Sequence, residues 1–414
     1  MLDMGEVVKD NSIDSIVTDP PYELNFMGKG WDNSGIAFQV DTWKRCYDVL
    51  KPGGYLLAFG GSRTFHRIAV AIEDAGFEIR DVIMWLYGSG FPKSLNLGKS
   101  VESKLVNGSA NTQAFKDLQG TKEVQSWGMN KRNLDYGCRP ADYSADGHEI
   151  VRDVDYQTEE GRKWDGWGTA LKPSYEPIIV ARKPCEGSCT DNVIKWGVGG
   201  LNIDECRVGS ETISYYPTNL KEAHGNNFGT GAYMPKDTSG EPITHNGRFP
   251  ANTILTYDET DFEHARYFYC AKASKRDRDE GLDNFESKQK VFNGQSSSSS
   301  TEMKDVEKRF TTTLKNTHPT VKPTSLMQYL IRLVTPKSGT ILDPFNGSGS
   351  TGKAVMYENK DRDANYKYIG IELTAEYIPI AIARIEFVGG KEEPVIDYTD
   401  GVQMSIFDFL KGEA

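Results

Sequence analysis

Two short segments concentrate the residue types that can do chemistry. The first, Asp19-Pro20-Pro21-Tyr22, directly follows an apolar stretch at Ile13–Thr18. Two prolines fix the backbone and remove two N–H donors. They leave a rigid row of acceptors, the Asp19 side chain and nearby carbonyls, with an aromatic ring beside it. That combination suits an amino group on a flat heterocycle. The acceptors take the amino protons and orient the nitrogen lone pair, and the ring stacks on the base. A proline-rich turn with a helix-capping Asp is the plainer alternative.

The second segment, 340–353, reads TILDPFNGSGSTGK. Glycines after a strand let the backbone approach a ligand closely, and the helix N-terminus that follows favours negative groups. Gly347, Gly352 and Lys353 satisfy G-x-x-x-x-G-K, but Ala354 stands where a P-loop needs a hydroxyl to hold magnesium. Gly347, Gly349 and Gly352 also satisfy G-x-G-x-x-G. Glu372, 20 residues beyond Gly352, is then placed to take the ribose hydroxyls of a dinucleotide. S-adenosylmethionine fits the same residues. Its ribose diol suits Glu372, and the tight turn Phe345-Asn346-Gly347-Ser348-Gly349 lets the backbone pass its methionine portion. A turn that binds nothing is a further possibility. The glycines alone leave the two nucleoside cofactors open. The Asp-Pro-Pro-Tyr turn favours the second, because a dehydrogenase has no evident use for an acceptor row and no hydride-transfer site is visible.

Both segments need a sheet to hold them. Residues 1–88 alternate strand and helix: a strand at Ile13–Thr18, a helix over 40–50 carrying Trp43, Tyr47 and Leu50, and a break at Lys51-Pro52-Gly53-Gly54. A buried strand at 55–59, a helix over 63–75 and a strand at 77–87 follow. Alternation of this kind builds a mainly parallel sheet covered on both faces. Residues 89–317 are rich in Gly, Asn, Ser and aromatics. Possible strands there are 173–181 and 252–257, and the five serines at 296–300 read as a mobile loop. Periodicity returns at 318–388. A helix opens at Pro323 with Leu326, Leu330 and Leu333 on one face, a strand at Thr340–Asp343 leads into the glycines, and a strand at 368–372 and a helix over 377–387 follow. One α/β domain is thus split in sequence, 1–88 and 318–388, around an insert at 89–317, with a tail at 389–414.

Composition narrows the setting. The chain has 414 residues, 38% hydrophobic and 26% charged, as in ordinary soluble proteins. No apolar stretch reaches the roughly 20 residues that span a bilayer, and residues 1–10 lack the basic and apolar segments of a secretory signal. Six cysteines are scattered, with only Cys185 and Cys189 close together. Without a second close pair they are expected to be reduced and structural, in a cytoplasmic protein, rather than zinc ligands. The net charge of −11 opposes simple polyanion binding, so nucleic acid would need a local basic cleft. Candidate clusters are Arg182-Lys183 and Lys272, Lys275, Arg276 and Arg278, with solvated surface charge as the alternative for each.

Taken together, these residues resemble the permuted, β-type amino-methyltransferases of DNA, bacterial or phage-type. In that family a D-P-P-Y turn precedes the insert and a D-P-F-x-G-S-G loop follows it, the order found here. His318-Pro319-Thr320-Val321-Lys322-Pro323 and Gly370-Ile371-Glu372 also match family segments. Lys51-Pro52-Gly53-Gly54, the run 167–173 (WGTALKP) and the run 268–275 (FYCAKASK) are similar to a subset of it. The resemblance implies a Rossmann-like, doubly wound methyltransferase sheet with 89–317 as an inserted target-recognition region. It implies S-adenosylmethionine held by Asp343, Phe345, Gly347, Gly349 and Glu372, with Thr320 and Lys322 nearby, and Asp19, Pro20, Pro21 and Tyr22 serving the base. In the family another strand ending in an acid precedes the D-P-P-Y strand; here Asp3 is the candidate for that acid. The implied reaction is site-specific methylation of double-stranded DNA on a flipped base, without a metal, at adenine N6 given Asp at position 19. A partner restriction endonuclease is a further implication. Alternatives are cytosine N4, a decayed DNA- or cofactor-binding protein, and methylation of RNA or a protein amide.

Overall fold

The computed structural model describes residues 8–24, 30–87, 94–110, 119–124, 149–154, 156–215, 243–255, 268–291, 311–389, 396–397 and 405–406. The five-serine run and Asp3 lie outside the described residues. The chain forms two compact units. One comprises 1–89, 174–288 and 313–414, the other 90–173 and 289–312.

The larger unit carries a ten-stranded sheet. Its strands are β1 (Ile13–Thr18), β2 (Leu50–Phe59), β3 (Glu78–Leu86), β4 (Tyr175–Arg182), β5 (Thr253–Leu255), β6 (Phe268–Tyr269), β7 (Thr340–Asp343), β8 (Lys367–Ile371), β9 (Ile396–Asp397) and β10 (Ser405–Ile406). They lie in the order β6-β5-β3-β4-β2-β1-β7-β8-β10-β9. The centre is parallel: β1 pairs with β2 on one side and β7 on the other, and β7 pairs with β8. All six residues of β1 are buried, as an interior parallel strand with both faces covered requires.

Helices cover both faces. On one, α1 (Val40–Val49) and α2 (Phe65–Asp74) bring Trp43, Cys46, Ile68 and Ile72 against Ile16, Leu56 and Ala58. On the other, Val17, Leu57 and Phe59 meet Leu326 and Leu330, Ala354 and Val355, and Ile378 and Ile385. Consecutive strand residues pointing to opposite faces explain why Leu56 and Leu57 serve different cores. The three helices on this second face are Thr324–Val334, Ser350–Arg362 and Ile378–Gly389. Four shorter or earlier helices complete the set, so in chain order they are α3 (Leu97–Asn107), α4 (Glu159–Lys163), α5 (Cys189–Trp196), α6 (Lys275–Asp279), α7, α8 and α9.

Two expectations change. Lys51-Pro52-Gly53-Gly54 does not break the chain between helix and strand but forms the first part of β2. Pro52 is tolerated because the irregular register of β1 between Ile13 and Ser15 leaves that stretch outside the regular ladder. The expected insert, 89–317, is also wider than the second unit, because 174–288 belongs with the sheet. Its strand β4 is antiparallel to both β2 and β3 and lies between them. Apolar periodicity marks such a strand without naming its neighbours, so sequence alone left 173–181 unplaced.

The smaller unit contains α3, α4 and an antiparallel pair, Gln119–Val124 with Glu149–Val154. Glu102 of α3 is fully buried and accepts from the backbone N–H of Gln157 at 2.6 Å and of Thr158 at 3.2 Å, which ties α3 to the start of α4. Among the described residues, no helix is long and apolar enough to cross a membrane.

Candidate active site

From β1 the chain winds toward β2 through α1 on one face; from β7 it winds toward β8 through α8 on the other. The winding direction therefore reverses between β1 and β7. Loops diverge at such a point and leave a crevice at the C-terminal ends of the strands. Both chemistry-bearing turns open there. Thr18 donates from Oγ1 to Asp343 Oδ1 at 2.6 Å, joining positions 325 residues apart.

On the β1 side, Asp19 follows the strand. Lys322 donates to its Oδ2 at 2.5 Å and lies 3.5 Å from Glu176 Oε2. Among the described residues the other oxygen, Asp19 Oδ1, is buried and makes no hydrogen bond of good geometry, with the Tyr22 hydroxyl near enough to favour the carboxylate. Burial pushes the Asp19 carboxyl above its ordinary range, and the Lys322 ammonium opposes that rise. Burial works against the Lys322 charge too, but Asp19 and Glu176 outweigh it and hold this lysine above its usual value. Two carboxylates thus share one ammonium, which leaves the cluster electron-rich.

Tyr22 is oriented from both ends. Its hydroxyl donates to Glu176 Oε2 at 2.9 Å, and its carbonyl accepts from Thr64 Oγ1 at 2.7 Å. A Cβ on Gly61 would meet the Tyr22 ring at 3.2 Å, so a glycine there lets the ring sit close to the end of β2. Burial, then the charges of Asp19 and Glu176, push the Tyr22 phenol well above its ordinary value, so it stays a donor. Lys272 stands over the Tyr87 ring at 3.4 Å from its centroid.

On the β7 side, Gly347 and Gly349 have φ of 54° and 72°, values that glycine adopts without strain. A Cβ on Gly349 would lie 3.0 Å from Ala381, and one on Gly352 would lie 2.5 Å from Tyr368 and Ile385. The third glycine thus serves the packing of α8 onto β8 and α9. The Gly347 N–H donates to Glu372 Oε2 at 2.6 Å, and the Thr374 N–H to Glu372 Oε1 at 2.7 Å. Phe345 packs near Trp43 with ring centroids 6.2 Å apart. Asn346 accepts from Tyr368 at 2.6 Å, while its buried Nδ2 has no partner among the described residues.

Residues 13–383 match the family described as DNA methylase. The chain belongs to that family. The type II methyltransferase M.HpaI of Haemophilus parainfluenzae is 34% identical over 96 residues, covering 21% of this chain and 30% of that enzyme. The chain thus matches less than a third of this relative's length. M.HindIII of Haemophilus influenzae is 21% identical over 350 residues, or 84% of this chain and 68% of that one. A solved PvuII DNA methyltransferase, described as cytosine-N4-specific, aligns over 92% of this chain and 81% of its own at 14% identity and a TM-score of 0.38.

Several residues singled out in the sequence take up particular contacts in the fold. Lys322, expected near the cofactor, pairs with Asp19 as the run before α7 passes the end of β1, and His318 of the same run lies against the cofactor turn, where a Cβ on Gly347 would meet its ring at 3.0 Å. Thr320 is exposed, and its carbonyl lies 3.0 Å from His318 Nδ1. Lys353 does not reach toward the loop mouth as a P-loop lysine would. It is fully buried, bound to Asp277 at 2.9 Å and Glu280 at 2.8 Å. Arg182 and Lys183 are internal too: Arg182 pairs with Glu78 at 2.7 Å, and Lys183 donates to Asn11 and to the carbonyls of Tyr47 and Leu50. Glu176 escaped sequence reading. Its mark is a carboxylate near the start of the apolar run in PSYEPIIVA.

Asp343 is committed internally. Its oxygens accept from Thr18, from the Phe345 N–H at 3.1 Å and from Thr351 Oγ1 at 2.5 Å. Burial pushes this carboxyl up to about 6, against the pull of the two threonine hydroxyls. The folded protein therefore keeps the proton over a range where the unfolded chain has lost it. This stabilisation is complete below about pH 4 and disappears as the pH rises through about 6. Asp343→Asn removes that titration. In urea unfolding across this range, the variant should gain about 2–3 kcal/mol on the parent as pH rises. A constant difference between the two curves would contradict the assignment.

Proposed function

We propose that this DNA methylase moves the methyl group of S-adenosylmethionine to the exocyclic amino group of a base flipped from double-stranded DNA, and that the base is adenine. The observation that carries the reading is Asp19 Oδ1, a buried acceptor that no well-aligned donor among the described residues satisfies, beside an oriented aromatic ring at the reversal point of the sheet. An unsatisfied buried acceptor costs about 1–3 kcal/mol, and an amino proton of the target base would relieve that cost.

The residues present fit the cofactor. Two left-handed glycines and the unpartnered Asn346 Nδ2 line the turn after β7. Glu372 ends β8 with lone pairs still free on each oxygen. S-adenosylmethionine supplies an electrophilic methyl group on a sulfonium. The chain's part is placement. Asp19 Oδ1 and the Pro20 carbonyl hold the amino protons and direct the nitrogen lone pair. Tyr22, fixed through Glu176, stacks on the base and recovers part of the few kcal/mol spent on flipping. As the nitrogen gains positive charge, the carboxylates of Asp19 and Glu176, only half balanced by Lys322, stabilise it.

The order of motifs along the chain supports a permuted, β-type arrangement. We assign target recognition to the unit formed by 90–173 and 289–312, and a restriction endonuclease as partner. Adenine rests on Asp at position 19, which in the resembling family goes mostly with adenine, where serine is common among cytosine enzymes. Digesting DNA methylated by the purified protein to nucleosides and weighing the products tests this. N6-methyladenosine is expected; N4-methylcytidine would overturn the base, and no methylated nucleoside would overturn the activity.

Glu372→Ala should weaken S-adenosylmethionine binding by about 1.5–3 kcal/mol, through lost hydrogen bonds to the ribose and a loosened Gly347. Calorimetric titration reads this directly, and unchanged affinity would remove Glu372 from the cofactor site.

A further inference from the structure

The described cysteines are free, in line with the expected reduced state, but they differ in exposure. Cys46, Cys206 and Cys270 are buried, and burial holds their thiols up at about 12, 12 and 11. Cys189 is exposed and Cys185 half-exposed, with their sulfurs 3.9 Å apart. Cys189 opens helix α5 directly after its capping residue Ser188. The Arg182 guanidinium donates to its sulfur at 3.4 Å. Arg182 and Glu176 occupy opposite ends of β4, about 20 Å apart at the rise of a strand. This pair therefore lies well away from the methyl-transfer site.

We propose that Cys185 and Cys189 form a peroxide-reactive dithiol, with Cys189 the attacking thiol and Cys185 the resolving one. Three features assign the roles. Cys189 has the guanidinium, the helix N-terminus and the solvent access that a reactive thiolate needs. Its hydrogen bonds from Arg182 and Cys185 pull its thiol below the ordinary value, while burial raises that of Cys185. A disulfide needs the sulfurs at about 2.05 Å, a short movement for two side chains flanking one turn. Among the described residues no third metal-ligating side chain joins them.

The chemistry balances with a hydroperoxide as oxidant. The Cys189 thiolate attacks one peroxide oxygen; the O–O bond breaks, S–OH forms, and the second oxygen leaves as water after taking a proton. The Cys185 sulfur then attacks Cys189. An S–S bond forms, the S–O bond breaks, and a second water departs. Two thiols have supplied the two electrons that reduce the peroxide.

The test treats the whole protein with hydrogen peroxide at pH 7, blocks free thiols and maps peptides by mass. A Cys185–Cys189 link that dithiothreitol reverses is expected. In Cys185→Ser, oxidation should stop at a sulfenic acid on Cys189, captured by dimedone. Cys189→Ser should form neither species. Arg182→Gln, checked for an unchanged thermal melt, should slow the reaction about three- to tenfold through its smaller thiolate fraction. No link in the parent protein, a link to Cys138 instead, or dimedone captured on Cys185 would each overturn the proposal.

Discussion

Asp19→Ala is expected to lower the rate of methyl transfer by about 10²–10⁴-fold, the range for removing a positioned proton acceptor, with little change in affinity for S-adenosylmethionine. The separation follows from geometry. Asp19 follows β1, while the glycine turn and Glu372 follow β7 and β8. The variant also leaves Lys322 with Glu176 alone, at 3.5 Å. Asp19→Asn therefore belongs beside it, since it keeps the shape but cannot balance the ammonium. Single-turnover rates on unmodified DNA and calorimetry with the cofactor read the two effects separately. Equal loss of cofactor binding in Asp19→Ala and Glu372→Ala would show that the two turns do not divide the work in this way.

The second large effect concerns stability. Asp277 of α6 accepts from the Thr324 backbone at 3.0 Å and hydroxyl at 2.5 Å, at the start of α7, and pairs with the buried Lys353 of α8 at 2.9 Å. Its carbonyl accepts from Lys353 at 3.0 Å and from the buried Arg384 of α9 at 3.2 Å. Lys353, Thr324 and its neighbours hold the Asp277 carboxyl below its ordinary range, against the effect of burial. One short helix thus joins three others through a single residue, α7 and α8 by its carboxylate and α9 by its carbonyl. Asp277→Ala leaves Lys353 with the Glu280 carboxylate and the residue 277 carbonyl, and removes the cap from α7. Losing one partner of a buried ion pair costs about 3–5 kcal/mol. Denaturant unfolding of the variant should show a loss of that size, and a change under about 1 kcal/mol would mean that Glu280 replaces it fully.

How much of this was legible in sequence depended on the kind of interaction. Strands β1 and β7 fall at the residues expected, because each is a short apolar run closed by a distinctive turn. The meeting of their turns followed from requiring one crevice for cofactor and target. The partners that hold Tyr22 and Asp19 in place were not legible. Glu176 and Lys322 come from β4 and from the approach to α7, 146 positions apart in sequence, and no local pattern joins them. Charge clusters misled for the same reason. Arg182-Lys183 reads as a candidate basic cluster, yet both are buried: Arg182 is held by the Glu78 carboxylate and Lys183 by two backbone carbonyls and Asn11. Lys353 sits in a sequence that fits a phosphate loop, and only tertiary packing reveals that carboxylates of α6 claim it.

The pairing of β1 with β7 also governs when the protein can work during its synthesis. These strands are the heart of the sheet, yet more than 300 residues of chain separate them. A ribosome emits β1, β2, β3 and β4 long before Thr340–Asp343 appears. At about 5–20 residues per second, β1 waits on the order of tens of seconds with one edge bare. An open apolar edge of that kind is a template for mispairing with neighbouring chains, and contacts of such long sequence separation form slowly. The early strands are therefore the segment for which a chaperone or fast cofolding of α1 and α2 matters most. The active crevice is the last part of the molecule to exist.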